Sequence, residues 1–309
     1  MHNVLRLQGP FRVMKATLII PSYRRENPLI QTLEGAVSQD FPGLEIILVD
    51  QTPEHAHATN KFLDEHKTRI CVIRQEEANL PVARNAGIRA SHGEIVIFAD
   101  DDVILPQGFV SAHAKNYKDA SVMAVAGPVL SPAKRWRREL PPSVTHPLYR
   151  HFAGCWQYDR KMSVCHAPGG NHSIRREVWD KVGPYDERFV GPGLREESDF
   201  FLRVHRAGMS IVYDPDAWLI HDPPQDGSGC WQADGGAVSF DRLYCHALFC
   251  RKNFTGAEQV KLFLHHLRGS LSQAGLRRMS PSAIPVVPRL VRAWRKAGCA
   301  LQLMAREKQ

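Results

Sequence analysis

Residues 94–103 read EIVIFADDDV, a run of apolar residues that ends in three consecutive carboxylates. The apolar part has the length and composition of a strand that is buried on both faces. Three acids at the end of such a strand repel one another unless a positive group lies beside them. The stretch therefore predicts a buried strand whose end, at Asp100, Asp101 and Asp102, binds a cation.

Three further β-rich runs precede this one. ATLIIP begins at Ala16, EIILVD at Glu45 and ICVIR at Ile70, and the segments between the runs have helical character, notably residues 28–39 and 81–91. The four runs begin 29, 25 and 24 residues apart, which is the rhythm of successive βα units. We predict a doubly wound α/β fold with a mostly parallel sheet. Ligands bind such a sheet beyond the carboxyl ends of its strands.

The overall composition is that of a globular protein, with 309 residues of which 43% are hydrophobic and 23% charged. No apolar run approaches the ~20 residues of a membrane-spanning helix, and the first residues lack the apolar core of a signal peptide. We therefore expect a cytoplasmic chain. The seven cysteines are scattered and form no C-x-x-C pair, which favours reduced thiols over a zinc site or a disulfide framework.

The net charge of +8 is concentrated in the C-terminal part of the chain. Residues 245–309 carry twelve basic and two acidic side chains, a net +10, so the preceding 244 residues carry −2. No nucleic-acid recognition motif accompanies this charge, and we expect no nucleic-acid partner.

The sequence of this basic tail leaves two interpretations open. Apolar residues recur near helical spacing at Leu290, Val291, Trp294, Leu301 and Met304. Basic residues surround them at Arg289, Arg292, Arg295 and Lys296. The helix either packs on the rest of the protein with its basic side in water, or lies peripherally on an anionic membrane with Trp294 and leucines in the interface.

The spacing of the acids indicates which cation they bind. Asp100 and Asp102 are two residues apart, and such residues in an extended segment point to the same side. Carboxylates suit Mg²⁺ or Mn²⁺, which commonly lie between protein acids and substrate phosphates. Neither a dinucleotide fingerprint nor a P-loop follows the first strand, where the chain reads PSYRRE. We predict a Mn²⁺ or Mg²⁺ ion that arrives with a nucleotide diphosphate; an acidic turn is the alternative.

Six motifs, in this order, resemble those of the family 2 glycosyltransferases of GT-A fold. They are TLIIPSYRR, ILVDQTP, LPVARNAGIRAS, EIVIFADDDV, APGGNHSIRREVWDKVGPYDERF and EESDFFLRVHRAG, and they span about residues 16–221. The resemblance implies a GT-A fold, a nucleotide-sugar donor that is usually UDP-linked, and inverting transfer to an acceptor hydroxyl. The acceptor would be a carbohydrate or a lipid-linked saccharide in polysaccharide or glycolipid synthesis.

The resemblance also implies a division of the chain. Residues 1–15 would be an N-terminal extension, 16–240 the GT-A catalytic domain and 241–309 a helical basic segment. Within the catalytic domain, residues of about 16–130 would form the nucleotide-sugar half and 131–240 the acceptor half.

The family's donor site can be carried over residue by residue. Asp100 and Asp102 match the D-x-D pair, whose second acid binds the metal, and His221 matches a histidine that completes the metal site or touches the diphosphate. The implied nucleotide-sugar contacts are Pro21, Ser22, Arg24, Asp50, Arg84, Asn85, Asp100 and Asp101. Asp50 matches the acid that contacts uracil, but Gln51 departs from the usual pattern and leaves the base open. A solvated helix face is the alternative for Arg84 and Asn85.

The acceptor side follows from the later motifs. Gly169, Gly170 and Asn171 match the segment that walls the sugar and acceptor pocket, although a tight turn also explains the glycines. Trp231 either closes over the sugar or covers the packing surface of the tail.

The catalytic base is expected within residues 195–199, which read REESD. Glu197 aligns with the family's base, which is usually an Asp. Because Glu is one methylene longer, Glu196 and Asp199 remain alternatives. Acids at a helix start also interact favourably with the helix dipole.

Two other classes of protein remain as alternatives. A nucleotidyltransferase would be expected to carry a Gly- and Lys/Arg-rich loop after the first strand, and PSYRRENP has no glycine. A non-catalytic, membrane-associated adaptor could retain the fold, but the intact acids at 100, 102 and 196–199 argue against it.

Overall fold

The computed structural model describes residues 14–132, 157–191, 193–222, 239–273 and 286–307, together with residues 136, 139 and 150. Trp231 and residues 1–13 lie outside the described residues, so the predictions made for them stay predictions.

Strands and helices alternate through the first hundred residues. They are β1 (Ala16–Ser22), α1 (Asn27–Val37), β2 (Leu44–Asp50), α2 (His57–Glu65), β3 (Ile70–Arg74), α3 (Leu80–Ala90) and β4 (Ile95–Ala99). The order continues with β5 (Val103–Ile104), α4 (Phe109–Ala114), a 3₁₀ turn at Lys115–Lys118, β6 (Val122–Ala126), β7 (Val129–Leu130), β8 (Met162–Val164), β9 (Asn171–Arg175), α5 (Arg176–Val182), α6 (Glu196–Arg206), β10 (Ser210–Tyr213) and β11 (Leu219–His221). The tail contributes α7 (Phe240–Asn253), α8 (Gly256–Gln273) and α9 (Val286–Glu307).

Eight strands form one mixed sheet in the order β3-β2-β1-β4-β9-β6-β10-β8. The pairs β1–β2, β1–β4, β2–β3 and β6–β10 are parallel, and the pairs that involve β9 or β8 are antiparallel. The predicted doubly wound, mostly parallel α/β architecture is therefore confirmed.

The central strands are apolar on both sides because both faces of the sheet are covered. In β1, Leu18 and Ile20 belong to one hydrophobic cluster and Ile19 to the other, as the alternation of side chains along a strand requires. All seven residues of β1 and all five of β4 are buried. The polar residues that follow these strands therefore emerge together at one edge of a rigid sheet.

A second, three-stranded sheet in the order β5-β11-β7 lies at this edge. Its antiparallel pairing sets His221 opposite Val103, and the amide of Asp222 donates to the carbonyl of Asp102 at 3.0 Å. The small sheet thus brings β11, far along the chain, beside the acids that follow β4.

The tail helices pack against earlier parts of the described chain. Leu290, Trp294 and Leu301 join a cluster that includes Phe189 and Leu202, and the ring of Trp294 lies 4.6 Å from that of Phe263. These contacts favour the packed-helix interpretation, and contact of the tail with a lipid interface stays a prediction. Hydrophobic burial holds these side chains against the protein. Among the described helices, none is both long and apolar enough to cross a membrane.

Candidate active site

The acids after β4 and the histidine at the end of β11 form one cluster. Asp100, Asp102 and His221 each offer a ligand atom, and these atoms all lie within 4.8 Å of one another. Nε2 of His221 is 3.1 Å from Oδ1 of Asp102. Two carboxylates and an imidazole are a donor set that fits a divalent metal ion. The structure thus brings the three predicted metal ligands together.

The acids of the cluster differ in their electrostatic surroundings. Burial, followed by the neighbouring charge of Asp102, raises the pKa of Asp100. Burial also opposes ionisation of Asp102, but the hydrogen bond and charge of His221, together with Arg25, outweigh it and lower the pKa of Asp102. The hydrogen bond to Asp102 in turn raises the pKa of His221. Asp102 is therefore the acid best held in its anionic, ligand form.

Gly170 allows the carboxylate of Asp100 to lie against the backbone. A Cβ atom at residue 170 would fall 2.0 Å from Oδ2 of Asp100, closer than atoms can approach. At residue 169 a Cβ would lie 3.3 Å from Nη2 of Arg84 and 3.7 Å from Cγ of Glu197. Gly169 and Gly170, the glycine pair, thus lie between Asp100 and Glu197 and place no side chain there. This close approach explains the two glycines better than a tight turn does.

Asp101 faces away from the metal ligands and contacts the segment after β1. Its Oδ2 accepts the amide of Tyr23 at 3.2 Å, and its Oδ1 lies 3.6 Å from Nε of Arg25. Burial and the charge of Asp102 raise the pKa of Asp101 to about 7, against the opposing effect of Arg25.

Arg25 is a site residue that the sequence analysis missed. It is buried, and its Nη2 donates to Oδ2 of Asp102 at 3.2 Å. Arg24, the residue that was predicted, is exposed and has a φ of 53°. The two adjacent arginines in PSYRRE were the sequence signal for a basic residue here. Which of them reaches Asp102 depends on the left-handed backbone at Arg24.

The carboxyl ends of β1 and β2 lie side by side. Ser22 pairs with Asp50 and Pro21 with Val49, and all four are buried. A pocket of about 310 Å³ lies beyond these ends and is lined by Arg24, Glu26, Thr52, Pro53 and Glu54.

Asp50 does not open into this pocket. Its side chain is fully buried, and its carboxylate is bound by His55 at 2.8 Å, by the amide of Thr52 at 2.9 Å and by Arg74. Protein donors thus enclose the carboxylate, and the predicted contact of Asp50 with a nucleobase stays a prediction.

Arg84 and Asn85 are both buried, so the solvated-face alternative is wrong. The amide of Asn85 donates to the carbonyl of Tyr185 and to Glu187. Its oxygen accepts from the amide of Tyr185 and from Trp179. These four bonds use the full hydrogen-bonding capacity of an asparagine side chain. These bonds hold the side chain within the protein, and the predicted contact of Asn85 with the diphosphate stays a prediction.

Arg84 lies beneath the glycine pair. Its Nη1 donates to the carbonyl of Gly169 at 2.9 Å, and its Nε lies 3.2 Å from Oε1 of Glu196. Its contact with a diphosphate stays a prediction.

The three acids of α6 have different environments. Asp199 is fully buried and accepts from Lys252, Asn253 and Arg203 at 2.8, 2.9 and 3.2 Å. Protein donors thus surround Asp199, which favours Glu197 as the base, and the alternative that Asp199 is the base stays a prediction.

Glu196 is 1% exposed, and burial raises its pKa to about 8 despite the charge of Arg84. Glu197 is half-buried, lies beside Gly169 and accepts the hydroxyl of Ser198 at 3.1 Å. Of the three, Glu197 is the carboxylate that solvent reaches.

Asn171 is held within the protein, and its predicted position in the wall of the sugar and acceptor pocket stays a prediction. It is fully buried, and its Nδ2 donates to the carbonyls of Pro128 and Ala217, both at 2.8 Å. Its oxygen lies 2.9 Å from Nε2 of His113. Asn171 therefore ties β9 to its neighbours, and the glycines before it are the part of the motif that faces the site.

Comparison with known proteins shows the family to which the chain belongs. The family model for glycosyl transferase family 2 matches residues 17–183, more than half of the chain. The chain therefore belongs to the family 2 glycosyltransferases, as its motifs predicted.

Two curated relatives illustrate the similarity. The succinoglycan biosynthesis protein ExoM of Rhizobium meliloti (strain 1021) is 26% identical over 223 residues, which are 69% of this chain and 68% of ExoM. The uncharacterized glycosyltransferase YwdF of Bacillus subtilis (strain 168) is 24% identical over 173 residues, 56% of this chain and 62% of YwdF. The chain thus matches less than two thirds of YwdF.

Solved structures share the fold. Mannosyltransferase PcManGT from Pyrobaculum calidifontis, in complex with GDP-Man and Mn²⁺, has a TM-score of 0.56 and 18% identity, and the match covers 96% of this chain and 81% of PcManGT. TarS 1-349 of S. aureus, in complex with UDP-GlcNAc, has a TM-score of 0.61 and 16% identity, covering 91% of this chain and 79% of TarS. The predicted GT-A fold is confirmed.

Proposed function

We propose that this glycosyltransferase moves a sugar from a nucleotide-diphosphate donor to an acceptor hydroxyl, with inversion at the anomeric carbon. One observation carries the proposal. The metal-ligand cluster of Asp100, Asp102 and His221 lies on one side of the glycine pair, and the accessible carboxylate of Glu197 lies on the other. A donor diphosphate and an acceptor hydroxyl would therefore approach each other beside the backbone of Gly169 and Gly170.

The donor would bind at the carboxyl ends of β1, β2 and β4. The acids there would repel a diphosphate, so a divalent ion is needed between them. Asp100, Asp102 and His221 would hold Mn²⁺ or Mg²⁺, which when bound neutralises the diphosphate and makes it a competent leaving group. We propose Mn²⁺ first because the cluster contains an imidazole, and because PcManGT was solved with Mn²⁺.

A UDP-sugar is the first donor to test, as the family resemblance implies. The pocket lined by Arg24, Glu26 and Thr52 is the nucleoside site that we propose. Because protein groups surround Asp50, we propose that these pocket residues select the nucleobase. A donor panel should therefore include GDP-linked sugars, since PcManGT was solved with GDP-Man.

Glu197 would act as the general base. It would take the proton of the acceptor hydroxyl as that oxygen attacks the anomeric carbon. Glu196 is bound to Arg84, and Asp199 is bound to Lys252, so both are occupied by structural partners. The glycine pair keeps side chains out of the space between base and donor.

Donor turnover tests the proposal against the two alternatives. We expect a UDP-sugar with Mn²⁺ to release UDP, and we expect EDTA or Asp102→Asn to abolish this release. Asp64→Asn, an exposed acid on α2, is the matched control. Release of pyrophosphate from a nucleoside triphosphate would indicate a nucleotidyltransferase instead. Absence of turnover and of metal-dependent nucleotide binding would favour the adaptor.

We further propose that the outer face of α9 contacts an anionic membrane surface. Arg289, Arg292, Arg295 and Lys296 are exposed there, while Ala293 and Ala297 are buried on the opposite side. Attraction would come from charge alone, at about 1 kcal/mol per basic residue near anionic lipid. Such a peripheral, cytoplasmic-side position would bring the site near a lipid-linked acceptor. The catalytic unit of this proposal is residues 16–240, followed by the basic segment.

A further inference from the structure

The three metal-ligand candidates come from two different sheets. Asp100 and Asp102 follow β4 of the large sheet, whereas His221 ends β11 of the small sheet. Their ligand atoms nevertheless lie within 4.8 Å of one another. The pairing of β11 with β5 places His221 beside Asp102. The position of His221 relative to Asp100 depends on how the two sheets are joined.

Asn171, the first residue of β9, joins them from the side of the large sheet. It pairs with Ala99, the residue that precedes Asp100. The residue before it, Gly170, lies against the carboxylate of Asp100. The backbone of Asn171 is therefore fixed next to this metal-ligand candidate.

The side chain of Asn171 binds the segments that lead into the small sheet. Its Nδ2 donates to the carbonyls of Pro128, which precedes β7, and Ala217, which precedes β11, both at 2.8 Å. The carbonyl of Pro128 also accepts the amide of Leu219 at 3.1 Å. Leu219 is two residues before His221 on β11. One amide group thus links the backbone beside Asp100 to the strand that carries the histidine.

His113 of α4 fixes the orientation of this amide group. Because Nδ2 of Asn171 faces two carbonyls, its Oδ1 is the atom that lies 2.9 Å from Nε2 of His113. A carbonyl oxygen only accepts, so Nε2 of His113 carries the hydrogen. Its Nδ1 then accepts from Oγ of Ser173 at 2.9 Å, and this Oγ accepts the hydroxyl of Tyr117 at 2.7 Å. Each donor in the chain from Tyr117 to Asn171 therefore meets an acceptor.

The chain of hydrogen bonds is inaccessible to solvent. Its four side chains are at most 3% exposed. Burial lowers the pKa of His113 to about 4, so its imidazole is neutral at pH 7 and keeps the single tautomer that the chain requires. Buried polar networks with every member paired hold one arrangement rigidly, and loss of one member leaves other buried groups unpaired.

We propose that Asn171 and His113 are positioning residues for the metal site, which set the separation of Asp100 and His221 and thereby the affinity for a divalent ion. Groups that orient metal ligands typically contribute about 10–100-fold to metal affinity. Neither side chain needs to touch a substrate for this role. The inference rests on the proposed function, because the metal site is that of the proposed donor reaction.

The test measures the Mn²⁺ dependence of UDP binding by calorimetry at pH 7, without turnover. We expect Asn171→Leu to raise the Mn²⁺ concentration that UDP binding requires by about tenfold or more. Gln39→Leu is the matched control. The buried amide of Gln39 also donates to two carbonyls, those of Gly35 and Pro106, but it joins α1 to the segment after β5. Its loss should reduce stability and leave the Mn²⁺ requirement unchanged.

Two variants of His113 keep the test decisive if Asn171→Leu does not fold. His113→Phe retains a ring but leaves Oδ1 of Asn171 without its donor, so it should raise the Mn²⁺ requirement about tenfold. His113→Gln supplies a side-chain amide that can donate to the same oxygen. It should therefore bring the requirement back toward that of wild type.

The outcomes separate this inference from the proposed function. Equal effects of Asn171→Leu and Gln39→Leu, or of His113→Phe and His113→Gln, would overturn the inference, because a general loss of stability would explain them. If Asn171→Leu and His113→Phe bind as wild type and Asp102→Asn does not, the inference fails and the proposed metal site stands. UDP binding by wild type that is independent of Mn²⁺ would overturn both.

Discussion

Nε of Arg84 lies 3.2 Å from Oε1 of Glu196, and both side chains are almost completely buried. The same guanidinium donates to the carbonyl of Gly169 and lies over the rings of Phe98 and Tyr185. One buried cation thus joins β4, the glycine pair and the first turn of α6. The position of Glu197 relative to Asp100 depends on this connection.

Arg84→Met is expected to destabilise the protein strongly. It removes the partner of Glu196 and a donor to the Gly169 carbonyl, and breaking a buried ion pair lowers the free energy of unfolding by roughly 3–5 kcal/mol. Urea denaturation at pH 8, where Glu196 is substantially ionised, measures this. Arg89→Gln on the same helix is the control, since Arg89 is exposed in its pair with Glu187 and should change stability by less than about 1 kcal/mol. Equal losses in the two variants would contradict the role of Arg84.

Glu196 should make stability depend on pH in a defined direction. Burial raises its pKa from 4.5 to about 8, so between these values the folded protein binds the proton and the unfolded chain does not. This contribution to stability is fully present below pH 4.5 and is lost as the pH rises through about 8. The free energy of unfolding of wild type, relative to Glu196→Gln, should therefore fall from pH 5 to 8, by at most about 1.4 kcal/mol per unit. Asp101 titrates in both proteins and cancels in the difference. A rise with pH would refute the assignment.

The sequence predicted the mostly parallel α/β sheet and the three metal-ligand candidates that the structure brings together. Continuous apolar runs at regular spacing require buried parallel strands, and polar residues after such strands must share an edge. Individual contacts were less predictable. We predicted that Arg24 is a site residue, but it is Arg25 that contacts Asp102. The backbone of Arg24 has a φ of 53°, and this turn decides which of the two side chains points toward the acids.

The hydrogen-bond partners of the buried asparagines were also not predictable from the sequence. Asn85 and Asn171 lie in motifs that resemble ligand-binding segments, and their amides donate to the backbone carbonyls of Tyr185 and Ala217. These partners, Tyr185 and Ala217, are distant in sequence, so no local pattern reveals them. The partner of Asp102 posed the same difficulty, and His221 was identified through the family resemblance, since its pairing depends on β5 and β11.

Gly170→Ala is expected to impair metal binding. The new Cβ would fall 2.0 Å from Oδ2 of Asp100 and displace that ligand, whereas Gly169→Ala meets its nearest atom at 3.3 Å. We therefore expect Gly170→Ala to weaken Mn²⁺-dependent UDP binding at least tenfold, and Gly169→Ala to have a smaller effect. Calorimetric titration of both variants, with and without Mn²⁺, measures this. The opposite order would mean that Asp100 is not held by the backbone of residue 170.

Substitution of Glu197 should affect catalysis, whereas substitution of Asp199 should affect stability. Glu197→Gln is expected to lower kcat by a factor of ~10² or more, with UDP affinity and melting temperature unchanged, as for loss of a general base. Asp199→Asn should leave Lys252 and Arg203 without their buried anion and lower the free energy of unfolding by roughly 1–3 kcal/mol. Its kcat, per folded molecule, should stay within a few-fold of wild type. If the kcat of Glu197→Gln is near that of wild type, another residue is the general base.

The basic face of α9 should bind anionic vesicles through charge and not through insertion. All four basic residues are exposed, and Arg292 and Lys296 also lie over the rings of Phe240 and Tyr244, respectively. The double variant Arg289→Gln/Arg295→Gln therefore removes charge with little effect on packing. At about 1 kcal/mol per residue, its partition onto anionic liposomes at low salt should fall roughly thirtyfold.

Trp294→Ala is the matched comparison for this experiment. Trp294 packs on Phe263 and under Arg251, so its loss should reduce stability and leave vesicle binding of the folded protein unchanged. Cosedimentation with neutral and anionic vesicles, at low and high salt, measures all three proteins. Binding should vanish on neutral vesicles and at high salt, because salt screens surface charge. If Trp294→Ala weakens binding and the charge variant does not, α9 must leave its packing site to enter the bilayer interface.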